Sequence, residues 1–302
     1  MKNHKPLRII ALALIFCAAL AVILYSRSEE SWNRERIIQS VAAENRSGSG
    51  YRELEGKFIE YSYIDFGSFQ LAIYDNQIKW RGKGGYFDGI VASVEPQISK
   101  VDDGIYFLSW VFGDHGGDNV VVNFKDNTVY AHLRSGQSND DSEAPDFEMI
   151  HGNVQCGPSA NGPFPEGEPI SMLRMILKLT KNTKKQNLPP MFTTPRPVTQ
   201  AELIAREELA KRPICYESVE GNRNLKVLGG NTIVSDNAGS EQSHRSYATK
   251  VADGIYFISW LGNPAFGNHI VFNAKTNKIY EHVIHQGLRN EWIHDASTTP
   301  AK

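Results

Sequence analysis

From Gly56 onward the chain is written in short runs of β-branched and aromatic residues, each closed by a loop containing Gly, Asn or Asp. That pattern predicts strands: Lys57 to Ile64, Phe69 to Tyr74, Gln77 to Arg81 and Ile90 to Ile98 in the first half. Neighbouring side chains on a strand point to opposite faces, so Tyr61 and Tyr63 share one face. A longer pattern then recurs. Val101 to Leu133 and Val251 to Val283 align without gaps over 33 positions, about 15 of them identical. One supersecondary unit is therefore used twice.

Within the unit, Gly104 to Trp110 (repeated at Gly254 to Trp260) reads as a strand with Ile105, Phe107 and Ser109 on one face and Tyr106, Leu108 and Trp110 on the other. Bulk on both faces means that both are covered. The sequence Asn123-x-Lys125-x-Asn127-x-x-Tyr130-x-His132, repeated as Asn273-x-Lys275-x-Asn277-x-x-Tyr280-x-His282, places a turn-forming Asn between two apolar runs and predicts a tight hairpin. A last strand near Phe147 to Val154 brings the first half to seven or eight antiparallel strands, the number a small up-and-down barrel needs. In the second half, Ile214 to Val219, Asn224 to Leu228, Thr232 to Ser235, Arg245 to Val251 and Leu288 to Ile293 repeat the plan in a shorter stretch.

Two helices are expected between the halves. Ile170 to Thr180 has a wide apolar face followed by Lys181, Lys184 and Lys185, read as packing on a barrel with a solvated basic end, or alternatively as touching a membrane surface. Thr199 with Glu202 forms a capping box for the second, which ends at Pro213. At the amino terminus, Lys2, Lys5 and Arg8 precede an uninterrupted apolar run from Ile9 to Tyr25, just long enough to span a bilayer. The positive flank predicts a cytoplasmic amino terminus and an exported remainder, periplasmic in a bacterium; a cleaved signal peptide ending near Ala19-Leu20-Ala21 is the alternative. The expected organisation is thus an anchor (1–27), a tether (28–53), a first barrel (54–156), a Pro/Gly-rich connector with two helices (157–212) and a second, reduced barrel (213–295).

Composition narrows the chemistry. The formal net charge is −2, and removing the basic anchor flank leaves the exported part more acidic, so nucleic-acid binding is not expected. Cys156 and Cys215 form an even pair in an oxidising compartment and are candidates for a disulfide, with two buried thiols as the other reading. No cofactor is expected. His282, His285 and His294 are spaced so that a strand turns them to opposite faces, which argues against a metal set. Asp114 to Asp118 has the polarity of a binding-loop tip, and the second copy does not keep it. Tyr130 with His132 could serve a ligand or act as acid and base inside a barrel; their repetition as Tyr280 with His282 favours a place in the fold's own hydrogen bonding.

The stretch from Gly56-Lys57-Phe58-Ile59-Glu60-Tyr61-Ser62-Tyr63 through Asp103-Gly104-Ile105-Tyr106-Phe107-Leu108-Ser109-Trp110, and the copy at Asp253 to Trp260, resembles the MoaF-like domain and the related phenolic acid decarboxylases. The resemblance implies tandem lipocalin-like (calycin) barrels. It also implies that Tyr61 and Tyr63 take the place of the decarboxylases' carboxylate-holding Tyr pair. Their Glu has no counterpart, since Phe112 and Gly262 stand there, and no basic residue occurs between Gly89 and Val94 where their Arg belongs. The expected function is therefore a membrane-anchored, exported protein binding a small aromatic or amphipathic molecule without catalysis, in an interior lined by Tyr61, Tyr63, Trp110, Tyr130 and His132. An enzyme on small phenolic or carboxylic compounds using the Tyr and His groups is the alternative, and a filled barrel acting as an envelope interaction module is the third.

Overall fold

The structure, a computed structural model, describes residues 49–64, 66–112, 116–134, 147–162, 164–185, 198–218, 221–235, 240–260, 268–285, 288–295 and 297–298. The expected anchor, the larger part of the tether and the tip of the Asp114 loop lie outside the described residues. Among the described residues, no helix is long and apolar enough to cross a membrane.

The chain is mainly β. The first half runs α1 (Ser49–Leu54), β1 (Lys57–Tyr63), β2 (Gly67–Tyr74), β3 (Gln77–Lys83), β4 (Val91–Val94), β5 (Gln97–Asp102), β6 (Ile105–Phe112), β7 (Gly116–Asn123), β8 (Thr128–Arg134) and β9 (Phe147–Ser159). Then come α2 (Met172–Lys185) and α3 (Gln200–Ala210). The second half continues with β10 (Ile214–Ser218), β11 (Gly221–Leu228), β12 (Asn231–Ser235), β13 (Glu241–Ala252), β14 (Ile255–Trp260), β15 (Asn268–Asn273), β16 (Lys278–His285), β17 (Leu288–Asp295) and β18 (Ser297–Thr298). These segments form two antiparallel sheets of order β4-β3-β2-β1-β9-β8-β7-β6-β5 and β17-β16-β15-β14-β13-β12-β11-β10-β18. Both sheets curl, and one is nearly closed into a barrel.

The two orders are the same circuit cut at different places. In the first sheet the stretch Ile90 to Ile98, read from sequence as one strand, breaks at Glu95-Pro96, because Pro96 has no N–H for the ladder. The pieces on either side of that break are the two edges of the sheet. In the second sheet the equivalent strand, β13, is continuous: Glu241 to Arg245 pair with β12, and Ser246 to Ala252 with β14. There the cut falls instead between β17 and β18, and β18 pairs with β10. The second half, expected as a reduced barrel, thus carries the same strand plan.

The opening helices correspond too. Glu53 on α1 is 2.8 Å from Lys100 and accepts from Tyr106 Oη at 2.7 Å, while Glu208 on α3 is 2.8 Å from Lys250 and accepts from Tyr256 Oη at 2.6 Å. Two corrections follow. Residues 49–53, assigned to a tether, belong to a packed helix with Tyr51 and Leu54 in the core of the first sheet. The capped helix assigned to the connector has its capping box, Thr199 with Glu202, and packs into the second core through Ala205 and Leu209.

Strand alternation distributes the apolar residues among three cores. Tyr106, Leu108, Trp110, Val120, Val122, Val129 and Ala131 turn into the first sheet, and Tyr256, Ile258, Trp260, Ile270, Phe272 and Ile279 into the second. The opposite faces of the same strands supply a third core, made of Val101, Ile105, Phe107 and Val121 from one half and Val251, Ile255, Phe257, Val271 and Tyr280 from the other. The repeated unit is therefore a self-complementary face, and the two copies meet as the subunits of a twofold dimer do.

Polar groups in this seam are paired reciprocally. Asn123 Nδ2 donates to the Val251 carbonyl at 3.2 Å, and Asn273 Nδ2 to the Val101 carbonyl at 2.9 Å. The same two side chains organise their hairpins: Asn123 Oδ1 accepts from the Lys125 and Asp126 amides, and Asn273 Oδ1 from those of Lys275 and Thr276. Asn127 and Asn277 then turn the chain at φ 54° and 56°, a left-handed conformation that Asn tolerates. His282 stacks on Phe107 at 3.9 Å and His132 on Phe257 at 3.9 Å, both pairs nearly parallel.

Removing one of these stacked rings deletes a fully buried side chain. Phe107→Ala and Phe257→Ala are each expected to cost about 3–5 kcal/mol. Urea unfolding measures this, with Leu228→Ala, exposed on the second sheet, as the near-neutral control. A cost for either Phe variant no larger than the control's would deny the seam.

Candidate functional site

β1 places Tyr61 and Tyr63 on the interior face of the first sheet, ring centroids 5.1 Å apart. Tyr61 faces Phe69 across the β1–β2 ladder, and Trp110 faces Asp118 across β6–β7. These residues, with Phe66, Trp80, Phe87 and Val120, line a cavity of about 20 Å³. Space of that size holds about one water molecule. Of the lining residues only Phe87 and Asp118 are partly exposed, so they form the rim.

Glycine makes the rim possible. A Cβ on Gly82 would stand 2.2 Å from the Phe87 carbonyl oxygen, and one on Gly85 would stand 2.1 Å from that of Phe66, so only glycine lets the 84–90 loop fold down with Phe87 against Phe66. Phe66 and Phe87 rings are 5.5 Å apart. From outside, α2 grips the same loop: Asn182 Nδ2 donates to the Tyr86 carbonyl at 2.9 Å and the Asp88 carbonyl at 3.2 Å, and Lys178 Nζ to the Gly89 carbonyl.

Inside the rim carboxylate of Asp118, the buried polar groups of the cavity are donors. Tyr63 Oη and Trp110 Nε1 are buried without a hydrogen-bond partner. Burial raises the Tyr61 and Tyr63 phenols well above their ordinary value, and the Asp118 charge adds to the shift in both. Both phenols therefore stay protonated through the physiological range, able to donate hydrogen bonds and unsuited to act as bases.

Tyr130 and His132 belong elsewhere. On β8 it is Val129 and Ala131 that point inward, so the residues between them turn to the seam, where His132 stacks on Phe257 and hydrogen-bonds Ser259 Oγ, and Tyr130 packs against the third core. In the equivalent place, His282 Nδ1 meets Ser109 Oγ at 2.7 Å while Ser109 donates to Asn119 Oδ1 at 2.8 Å. Its Nε2 lies 3.0 Å from Ser99 Oγ, so both ring nitrogens of His282 meet serines of the other half. The five residues grouped from sequence as one lining thus separate into three in the cavity and two in the seam. No disulfide joins Cys156 and Cys215, which lie on β9 and β10, strands of different sheets. Among the described residues no group of three His, Cys, Asp or Glu could hold a metal ion.

The second interior is different in kind, and sequence reasoning missed it. Tyr216 Oη donates to Glu281 Oε1 at 3.1 Å, Arg223 Nη1 is 3.6 Å from the same oxygen, and the Arg223 guanidinium lies 6.0 Å from the Trp260 ring. Burial, then the Glu281 charge, raises the Tyr216 phenol well above its usual value. Tyr216 faces Arg223 as Tyr61 faces Phe69, and Glu281 takes the place of Ala131. The signal was available in the alignment: Tyr130-Ala131-His132 against Tyr280-Glu281-His282 exchanges the one inward-facing residue of the three.

The sequence matches no known family profile and no curated protein. Among solved structures, the chain is similar to a Burkholderia vietnamiensis protein provisionally named a beta-lactamase, at 18% identity and a TM-score of 0.30, covering 34% of this chain and 93% of that one. It is also similar to the di-domain ARO/CYC StfQ from the steffimycin biosynthetic pathway, at 8% identity and a TM-score of 0.16, covering 88% of this chain and 81% of that one. Likenesses this distant carry no functional argument.

The phenols make a pH prediction. Folded-state pKa values raised above the unfolded value give stability that is complete below about pH 10 and is lost as pH rises beyond it. In an alkaline titration followed at 295 nm, phenolate from Tyr61, Tyr63 and Tyr216 is expected to appear together with cooperative unfolding. Gradual ionisation of all the tyrosines with the fold intact would contradict the buried placement.

Proposed function

We propose that this is a membrane-anchored, exported protein with two tandem lipocalin-like barrels of the MoaF-like kind, whose first barrel binds a small aromatic or amphipathic molecule without transforming it. The observation that carries the reading is the pair of buried donors, Tyr63 Oη and Trp110 Nε1, which make no hydrogen bond as placed and border an aromatic cavity with the Asp118 carboxylate at its rim. A buried polar group left without a partner costs about 1–3 kcal/mol, which a ligand's acceptor atom, or a water, would recover. Seven aromatic rings supply contact area for the rest of such a molecule. The resting cavity admits only a water-sized group, so a larger ligand must swing Phe87, the partly buried ring of the rim. Protonated phenols and the diversion of His132 into the seam favour binding over acid–base catalysis.

The small cavity favours a second reading, a filled barrel that works through protein contacts. Native mass spectrometry of the full chain, isolated from its own membrane in mild detergent, separates the two. Binding predicts excess mass that disappears on denaturation and is reduced at least about tenfold in occupancy by Tyr63→Phe with Trp110→Phe, a loss equal to about 1.4 kcal/mol. Bare protein throughout supports the filled barrel and contradicts the binding reading.

A further inference from the structure

Helix α2 is docked the wrong way round for a helix on a water-soluble surface. Its inward face is Met175, Lys178, Leu179 and Asn182: Met175 enters the first core, Leu179 packs against it, and Lys178 and Asn182 hold the 84–90 loop. Spaced at the same helical interval on the other side are Leu173, Ile176 and Leu177, exposed by 68%, 52% and 62%. Thr180 continues that face, its hydroxyl turned back to donate to the Ile176 carbonyl at 2.8 Å. A helix ordinarily buries its aliphatic stripe and leaves Lys and Asn in water. Here two polar side chains make the docking bonds and three large aliphatic ones are left outside.

The charge of the helix says what covers them. Met172 to Lys185 contains Arg174, Lys178, Lys181, Lys184 and Lys185 and no acidic residue. Arg174 and Lys181 are exposed beside the aliphatic face. An aliphatic stripe with cations along one edge and no carboxylate on its helix matches the boundary between acyl chains and anionic headgroups, where apolar area and electrostatic attraction act together. Location supports the same occupant: on the anchor proposed above, the apolar run Ile9 to Tyr25 ends only 24 residues before α1 begins, which keeps the first sheet tied to the neighbourhood of a bilayer.

We infer that α2 lies on the bilayer surface, with Leu173, Ile176 and Leu177 at the acyl boundary and Arg174 and Lys181 among anionic lipid headgroups. This rests on the anchor proposed above and adds a second, peripheral contact to it. Because α2 also holds the loop that carries Phe87, the membrane contact sits one helix away from the rim of the cavity.

The test uses the full chain carrying Leu177→Trp, a substitution at an exposed position that disturbs no packing. It is reconstituted into vesicles of phosphatidylcholine brominated near the top of the acyl chain, with about one quarter phosphatidylglycerol. Emission of the added Trp is the difference from the unsubstituted chain, which has five Trp of its own. Flotation reports whether the anchor inserts, and bromine quenching reports where α2 lies. The expected result is flotation with the added emission quenched by at least about half, and quenching relieved by Arg174→Glu with Lys181→Glu. Flotation with the added Trp quenched by aqueous iodide and not by bromine overturns the inference and leaves the anchor standing. Flotation with quenching by neither shows protein covering the helix and overturns the inference as well. A chain that stays out of the vesicles overturns both.

Discussion

The architecture depends on one self-complementary face. Each copy of the repeated unit offers Ile105, Phe107 and Ser109, or Ile255, Phe257 and Ser259, on the side of its strand that does not enter its own sheet. Left alone, such a face would expose aromatic surface and buried-type polar groups to water. Turned against its duplicate, the face meets its own partners reciprocally: Phe107 takes His282 as Phe257 takes His132, and Asn123 reaches Val251 as Asn273 reaches Val101. The duplication therefore explains itself physically, because the face is closed by a second copy of itself.

Fixing both faces of β6 and β14 also frees the interiors to differ. The seam keeps its apolar residues in both halves, Val101, Ile105, Phe107 and Val121 against Val251, Ile255, Phe257 and Val271, while Asn119 beside Ser109 becomes His269 beside Ser259; the interiors need only the right bulk. The first is filled with aromatic rings around two protonated phenols, and the second keeps a tyrosine, Tyr216, but sets Arg223 and Glu281 where the first has Phe69 and Ala131. Function, on this account, lies in the residues in which the copies disagree. Phe69 against Arg223 and Ala131 against Glu281 are such disagreements, and Tyr130, His132 and their repeats are part of the shared frame.

Much of this was legible in the chain. Alternation gave the strands and the two covered faces, the repeated Asn gave the hairpins, and Thr199 with Glu202 gave the start of α3. What could not be read was which covered face was interior and which was seam, since Tyr106-Leu108-Trp110 and Ile105-Phe107-Ser109 are both apolar enough for either. That ambiguity put His132 in the cavity, although its neighbours Val129 and Ala131 share the inward parity and their small apolar side chains fit a closed interior. Pro96 marked the strand break in plain view. The correspondence of α1 with α3 was hidden because the two helices share a role, Glu53 to Lys100 and Glu208 to Lys250, with little local sequence in common. The outward stripe of α2 was hidden for a different reason: periodicity gives the width of an apolar face but not its direction.

The central claim is that the two halves form one cooperative body through the seam. Native-state hydrogen exchange resolved to β6 and β14 tests it most directly, because it measures the opening free energy of each seam strand in the same molecule. The account predicts that Ile105–Phe112 and Ile255–Trp260 share the slowest exchange and a common opening free energy, which rises and falls together as urea is added. Exchange of one strand at least about tenfold faster than the other, with a separate urea dependence, would show two independent domains that merely touch, and would contradict it.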